Sequence, residues 1–113
     1  MKFTTSQTGT VVVFTLDGNL MGGPDASTLN AKLNELVDAG TKQVVIDLAG
    51  VQFMNSSGLG LLIGGASLMK NAGGGLKLAN ASEKIMALIK ITKLTSVFES
   101  YSSVDAAVSS FKM

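Results

Sequence analysis

The chain has 113 residues, the size of a single domain that can bury a core without disulfide or metal staples. It contains neither cysteine nor histidine, which excludes disulfides, thiol catalysis, histidine-based triads and the commonest zinc sites. Nine lysines, no arginine and eight acidic residues leave a net charge of +1, without the basic excess of a nucleic-acid surface; charged residues are only 15% of the chain, against about 25% in ordinary soluble domains.

Gly58 to Met69, the longest uncharged apolar stretch, is shorter than the roughly 18 residues of a membrane span, and Gly64, Gly65 and Ser67 interrupt it. Met1 to Thr10 has no apolar segment followed by a small-residue cleavage site, so no signal peptide is expected. These features predict one soluble, cytoplasmic domain covering residues 1–113.

Lys2 to Thr5 is a weak edge-strand signal. Thr10 to Asp17 is a strong one, with Val12, Phe14 and Leu16 on one face and Val11, Val13 and Thr15 on the other, and Asp17-Gly18 closing it as a turn. Gly22-Gly23-Pro24-Asp25 reads as a helix start, since proline is pre-set for the first helical position and aspartate favours the dipole. Ala26, Leu29, Leu33, Leu36 and Val37 then form an apolar stripe that stops at Gly40. Gln43 to Leu48 is predicted as the central strand, and a helix-length crossover between two strands implies a parallel, right-handed connection.

A second helix is predicted from about Ser57 to Asn71, with Leu59, Leu62, Ile63, Ala66 and Met69 on its inner face. Gly73-Gly74-Gly75 ends it, and Leu76 to Ala79 is a short strand. Asn80 with Glu83 resembles a capping box for a helix carrying Ile85, Leu88 and Ile89. Ser96 to Phe98 is predicted as a last strand, and Ser102 or Ser103 caps a final helix with Val104, Ala107, Val108 and Phe111 inward. The order ββαβαβαβα predicts an α/β fold: a mixed, mostly parallel sheet of four to five strands covered by about four helices.

The chemistry concentrates where the central strand turns into the second helix, at Asn55-Ser56-Ser57-Gly58. Asn55 or Ser56 can act simply as a cap, its side-chain oxygen accepting a backbone N–H. Capping needs no second serine. A dinucleotide turn is disfavoured, because the glycine spacing is Gly58-x-Gly60-x-x-x-Gly64 and no acidic residue ends the next strand; no Gly-Lys-Ser/Thr phosphate loop exists. An exposed serine at a helix start can also carry a phosphate, which the helix N-terminus tolerates while a docked apolar partner does not. On strand alternation Met54 is expected outward after a buried Phe53, forming a partner surface with Leu59. Asp47, at the strand end, is expected to steady the turn by accepting backbone N–H bonds. The acidic residues and lysines form no pair at catalytic spacing, so no enzyme is expected.

The segment DLAGVQFMNSSGLGLLIGG resembles the signature of STAS domains, specifically bacterial anti-sigma factor antagonists. Similarity extends through Val11 to Gly18, KNAGGGLKLAN, IMALIKITKLTSVFESY and SVDAAVSSF. The resemblance implies a STAS-like fold and a partner that is an anti-sigma factor of the serine-kinase type, released from its sigma factor by binding this domain. It implies phosphorylation of Ser56, with Ser57 as second choice, and reversal by a serine phosphatase. Asn55, Met54, Ser57, Gly58 and Leu59 become the partner-binding residues, joined by Pro24 and Asp25 from a loop that lies near the switch serine in relatives. No cofactor, metal, nucleic acid or membrane insertion is implied. Two positions depart from the pattern: Asn55 stands where aspartate is usual, and Lys93 where glycine is common. STAS domains without a switching serine define the alternative, a constitutive docking or small-ligand-binding module.

Overall fold

A computed structural model of the protein describes residues 2–21, 24–92 and 98–111, with residues 24–26 described by backbone alone. The elements run β1 (Lys2–Thr8), β2 (Val11–Asp17), α1 (Pro24–Asp38), β3 (Gln43–Gly50), α2 (Ser56–Asn71), β4 (Gly75–Ala79), α3 (Glu83–Ile91), β5 (Glu99–Tyr101) and α4 (Val104–Ser110). They form one five-stranded sheet in the order β1-β2-β3-β4-β5. Only β1 runs antiparallel to its neighbour; β2, β3, β4 and β5 pair in parallel through helical crossovers.

The period-two pattern of β2 and β3 divides the core in two, as alternate side chains must leave opposite faces of a sheet. Val12, Phe14, Leu16, Val44, Ile46 and Leu48 meet the inner stripes of α1, α2 and α3 on one face. Val11, Val13, Val45 and Ala79 meet Ala107 and Val108 of α4 on the other. Burying apolar faces on both sides is what makes a parallel sheet stable. No helix among the described residues is long and apolar enough to cross a membrane.

At the end of α2 the Gly75 N–H donates to the Lys42 carbonyl at 2.9 Å, so the two strand entries lie side by side. A Cβ on Gly74 would collide with that same carbonyl, which is why glycine stands there.

Two expectations are corrected near the C-terminal half. The cap of α3 is Ser82, whose hydroxyl accepts the Ile85 N–H at 3.2 Å, and not Asn80. Asn80 instead adopts a φ of 58°, a left-handed conformation that asparagine tolerates, and its amide donates to Asp47 Oδ1 at 3.0 Å. The last strand is Glu99–Tyr101, immediately after the expected Ser96 to Phe98, and Phe98 is drawn into the main core. Ser96, Val97 and Lys93 lie outside the described residues. Ser103 caps α4, accepting the Ala106 N–H at 3.1 Å.

Candidate functional site

Beyond the C-terminal ends of β2 and β3 the two following segments are laced together. The Gly18 N–H donates to the Gly50 carbonyl at 3.0 Å and the Leu20 N–H to the Phe53 carbonyl at 3.0 Å, while the Asn55 N–H returns to the Leu20 carbonyl at 3.3 Å. Leu20 and Met54 thus form an isolated parallel bridge. Asp47 braces the neighbouring strand end as expected, its Oδ1 accepting the Ala49 N–H and the Asn80 amide, each at 3.0 Å.

This lacing reverses the expected orientation of two side chains. Leu20 holds the backbone on both sides of Met54, which turns that side chain under α2 to 3% exposure, whereas Phe53 stands 49% exposed. Leu59 is buried among the core residues, because the first turn of α2 rests on the Leu20 crossing. Gly58 is buried for the same reason, and a Cβ there would run into the Leu20 carbonyl. Gly58 and Leu59 therefore support the site from beneath and do not form its surface, while Met54 reaches only the floor of the groove beside it.

Asn55 is the cap of α2: its φ of −94° and ψ of −178° are extended, and its Oδ1 accepts the Gly58 N–H at 2.8 Å. Ser56 and Ser57 follow as the first helical residues, both exposed. Helix geometry leaves the first N–H groups without intrahelical acceptors, so partial positive charge gathers where these hydroxyls stand. Removing the cap oxygen in Asn55→Ala is expected to cost about 1 kcal/mol. That corresponds to a melting temperature lower by about 4–8 °C. Asn55→Asp keeps the oxygen and is expected to melt within a degree or two of the parent. Equal melting of Asn55→Ala and the parent would show that the cap bond adds nothing.

The surface that sequence reasoning missed lies beside this turn. Phe53 and Met54 on one side and Lys84, Leu88 and Ile91 of α3 on the other line an apolar groove of about 350 Å³. Ile85 and Ile89 provide the buried stripe of α3; Leu88 is partly buried against the core and borders the groove, and Ile91 one turn on stands clear of it. Ile91 is 78% exposed and, with Phe53 and Met21 (45%), is one of the three large apolar side chains that the described residues leave exposed. Met21 immediately follows the bridging Leu20 and Phe53 precedes Met54, so these two belong to the same lacework. The signal was present in the sequence: EKIMALIKI is apolar around more of its circumference than one buried face requires. α1 begins at Pro24 as expected, but the side chains of Pro24 and Asp25 lie outside the described residues.

The mixed, mostly parallel α/β domain thus displays two serines at a capped helix start beside an apolar groove. The STAS domain family description matches residues 2–107, and the chain belongs to that family. Within it, the chain falls among the anti-sigma factor antagonists. The anti-sigma-B factor antagonist of Bacillus subtilis (strain 168) is 38% identical over 74 residues, 66% of this chain and 67% of the relative. The candidate anti-sigma factor antagonist BtrV of Bordetella bronchiseptica is 28% identical over 112 residues, 99% of this chain and 96% of the relative. In fold, the chain matches the Bacillus cell fate determinant SpoIIAA in its phosphorylated form with a TM-score of 0.75 at 22% identity, over 96% of this chain and 97% of that one.

Proposed function

We propose that this protein binds an anti-sigma factor of the serine-kinase type through the exposed turn at Ser56 and the adjoining groove, and that phosphorylation of Ser56 ends the binding. The observation that carries this reading is the exposure of Ser56 as the first residue of α2, three positions from Phe53 on the groove wall. The kinase transfers the terminal phosphoryl group of ATP to the Ser56 hydroxyl: the Oγ–P bond forms as the β,γ phosphoanhydride bond breaks, ADP leaves and the hydroxyl proton is released. The product carries roughly −1.5 to −2 charge. The N-terminus of α2 accommodates that charge, so the fold persists. A partner whose apolar side chains sit against Phe53 and Ile91 must then desolvate a dianion beside them, and it dissociates. Release of the sigma factor follows from occupancy of the anti-sigma factor, and a serine phosphatase restores the binding form. Ser57, also exposed, is the second acceptor.

Asn55 favours one further reading, a constitutive docking module. With an amide in place of the usual carboxylate, the cap geometry survives but no negative charge orients the incoming nucleotide or the serine. One experiment separates the readings: incubation of the chain with the Bacillus subtilis anti-sigma-B factor and ATP, followed by mass analysis of the intact protein and its Ser56 peptide. A single phosphoryl addition on Ser56, faster in Asn55→Asp, is the expected result. A stable complex without a mass change supports the constitutive module, and the absence of both complex and modification overturns the kinase partner.

A further inference from the structure

The two edges of the sheet are built differently. β5, at one edge, has three residues, carries Glu99 and packs beside α4. Short length, charge and a flanking helix are the means by which sheets keep an open edge from pairing with another chain. β1, at the other edge, has seven residues, and its one charge, Lys2, stands at its first position. From Phe3 to Thr8 it has no charge and no proline. Its ladder to β2 runs from Lys2↔Asp17 to Thr8↔Val11 without a shift; the irregularity of this region lies between β2 and β3. The result is a straight edge of roughly 24 Å with alternating free N–H and C=O groups.

The sequence of β1 also suits self-pairing. Thr4, Thr5 and Thr8 are β-branched, and all of β1 but the half-buried Phe3 is exposed. Phe3 is steadied by its stacking on Phe14, with ring centroids 5.6 Å apart, so little side-chain order remains to be imposed on it. In a two-fold antiparallel pairing centred on Thr5, Thr5 meets Thr5 of the second copy. Phe3 then lies opposite Gln7 of the second copy, and Lys2 opposite Thr8 of the second copy. No like charges face each other, and the net charge of +1 leaves little long-range repulsion between copies.

We propose that β1 pairs antiparallel with β1 of a second copy, joining two five-stranded sheets into one continuous sheet of a homodimer. This surface shares no residue with the Ser56 turn or the groove, so the dimer displays two docking faces independently of what binds them. A single-strand interface is smaller than the about 1,200 Å² of stable complexes, so the association is weak and concentration-dependent.

Sedimentation equilibrium of the full chain tests this. The apparent mass is expected to rise from 11.6 kDa toward twice that value as concentration approaches about 1 mM. Thr5→Lys, which sets two ammonium groups face to face at the axis, is expected to stay monomeric with an unchanged melting temperature. The chain has no cysteine of its own, so Thr5→Cys is expected to form an oxidised dimer while Ser109→Cys, on an exposed site of α4, does not. This cross-link decides the question if Thr5→Lys fails to fold. A mass of 11.6 kDa throughout, with equal cross-linking of the two cysteine variants, overturns the proposal. A dimer that survives Thr5→Lys but is lost in Ile91→Glu also overturns it, and assigns self-association to the groove.

Discussion

Replacing Gly58 with alanine is expected to destabilise the protein by about 3 kcal/mol, the upper end of the range for overpacking a close contact. The added Cβ would stand 2.8 Å from the Leu20 carbonyl carbon and closer still to its oxygen, both of which are backbone atoms and cannot rotate away. Relief requires α2 to lift from the Leu20 segment, which breaks the Leu20–Met54 bridge and exposes Met54 and Leu59. Gly60, two residues on in the same helix, gives the opposite result. Nothing lies within 4 Å of the site a Cβ would take there, and it is a solvent-facing helix position. Gly60→Ala is therefore expected to stabilise the protein by about 0.5–1 kcal/mol through lower unfolded-state entropy. Denaturant titration of the two variants checks the pair. A Gly58→Ala protein as stable as the parent would mean that the crossing beneath α2 can shift without cost, and the account of why the turn is rigid would fail.

The layer order and the helix and strand succession are legible in the sequence because β2, β3 and α1 carry strong, locally determined periodicities. Val11 to Phe14 is a continuous apolar run, as a strand covered on both faces requires, and Pro24 with Leu29 and Leu33 marks a helix start and its inner stripe. The Asn55 cap and the exposure of the serines are legible for the same reason, since capping involves only residues three apart. The positions read wrongly are those decided by distant partners. Met54 points inward because Leu20, 34 residues earlier, pairs with the backbone on either side of it. Alternation cannot be extended past Gly50, where β3 ends and the Val51 N–H turns back to the Leu48 carbonyl at 3.0 Å. Asn80 was drawn from capping to Asp47 on the neighbouring strand, 33 residues away, leaving Ser82 to cap α3. Nothing local to either position announces these pairings.

On the proposed function, the largest effects on binding are expected from Ser56→Asp and from the groove residues Phe53 and Ile91. Ser56→Asp adds a fixed negative charge at the helix start, where the dipole favours it, so its melting temperature is expected to match that of Ser56→Ala or exceed it slightly. Its affinity for the anti-sigma factor is expected to fall at least tenfold, because burial of an unpaired carboxylate at an interface is unfavourable by more than the about 1.4 kcal/mol that a tenfold change represents. Phe53→Ala and Ile91→Ser remove apolar area with no charge at all. Each is expected to cost about 1.5–3 kcal/mol of binding if the side chain is fully covered by the partner. Neither residue is part of the buried core, so these losses are expected without loss of fold. Titration calorimetry on the four variants separates charge from contact. Weakening by Ser56→Asp alone confines the interface to the serine turn, whereas weakening by Ile91→Ser as well extends it across α3. Equal binding by Ser56→Ala and Ser56→Asp removes the switch, since a modification that the partner does not sense cannot regulate it.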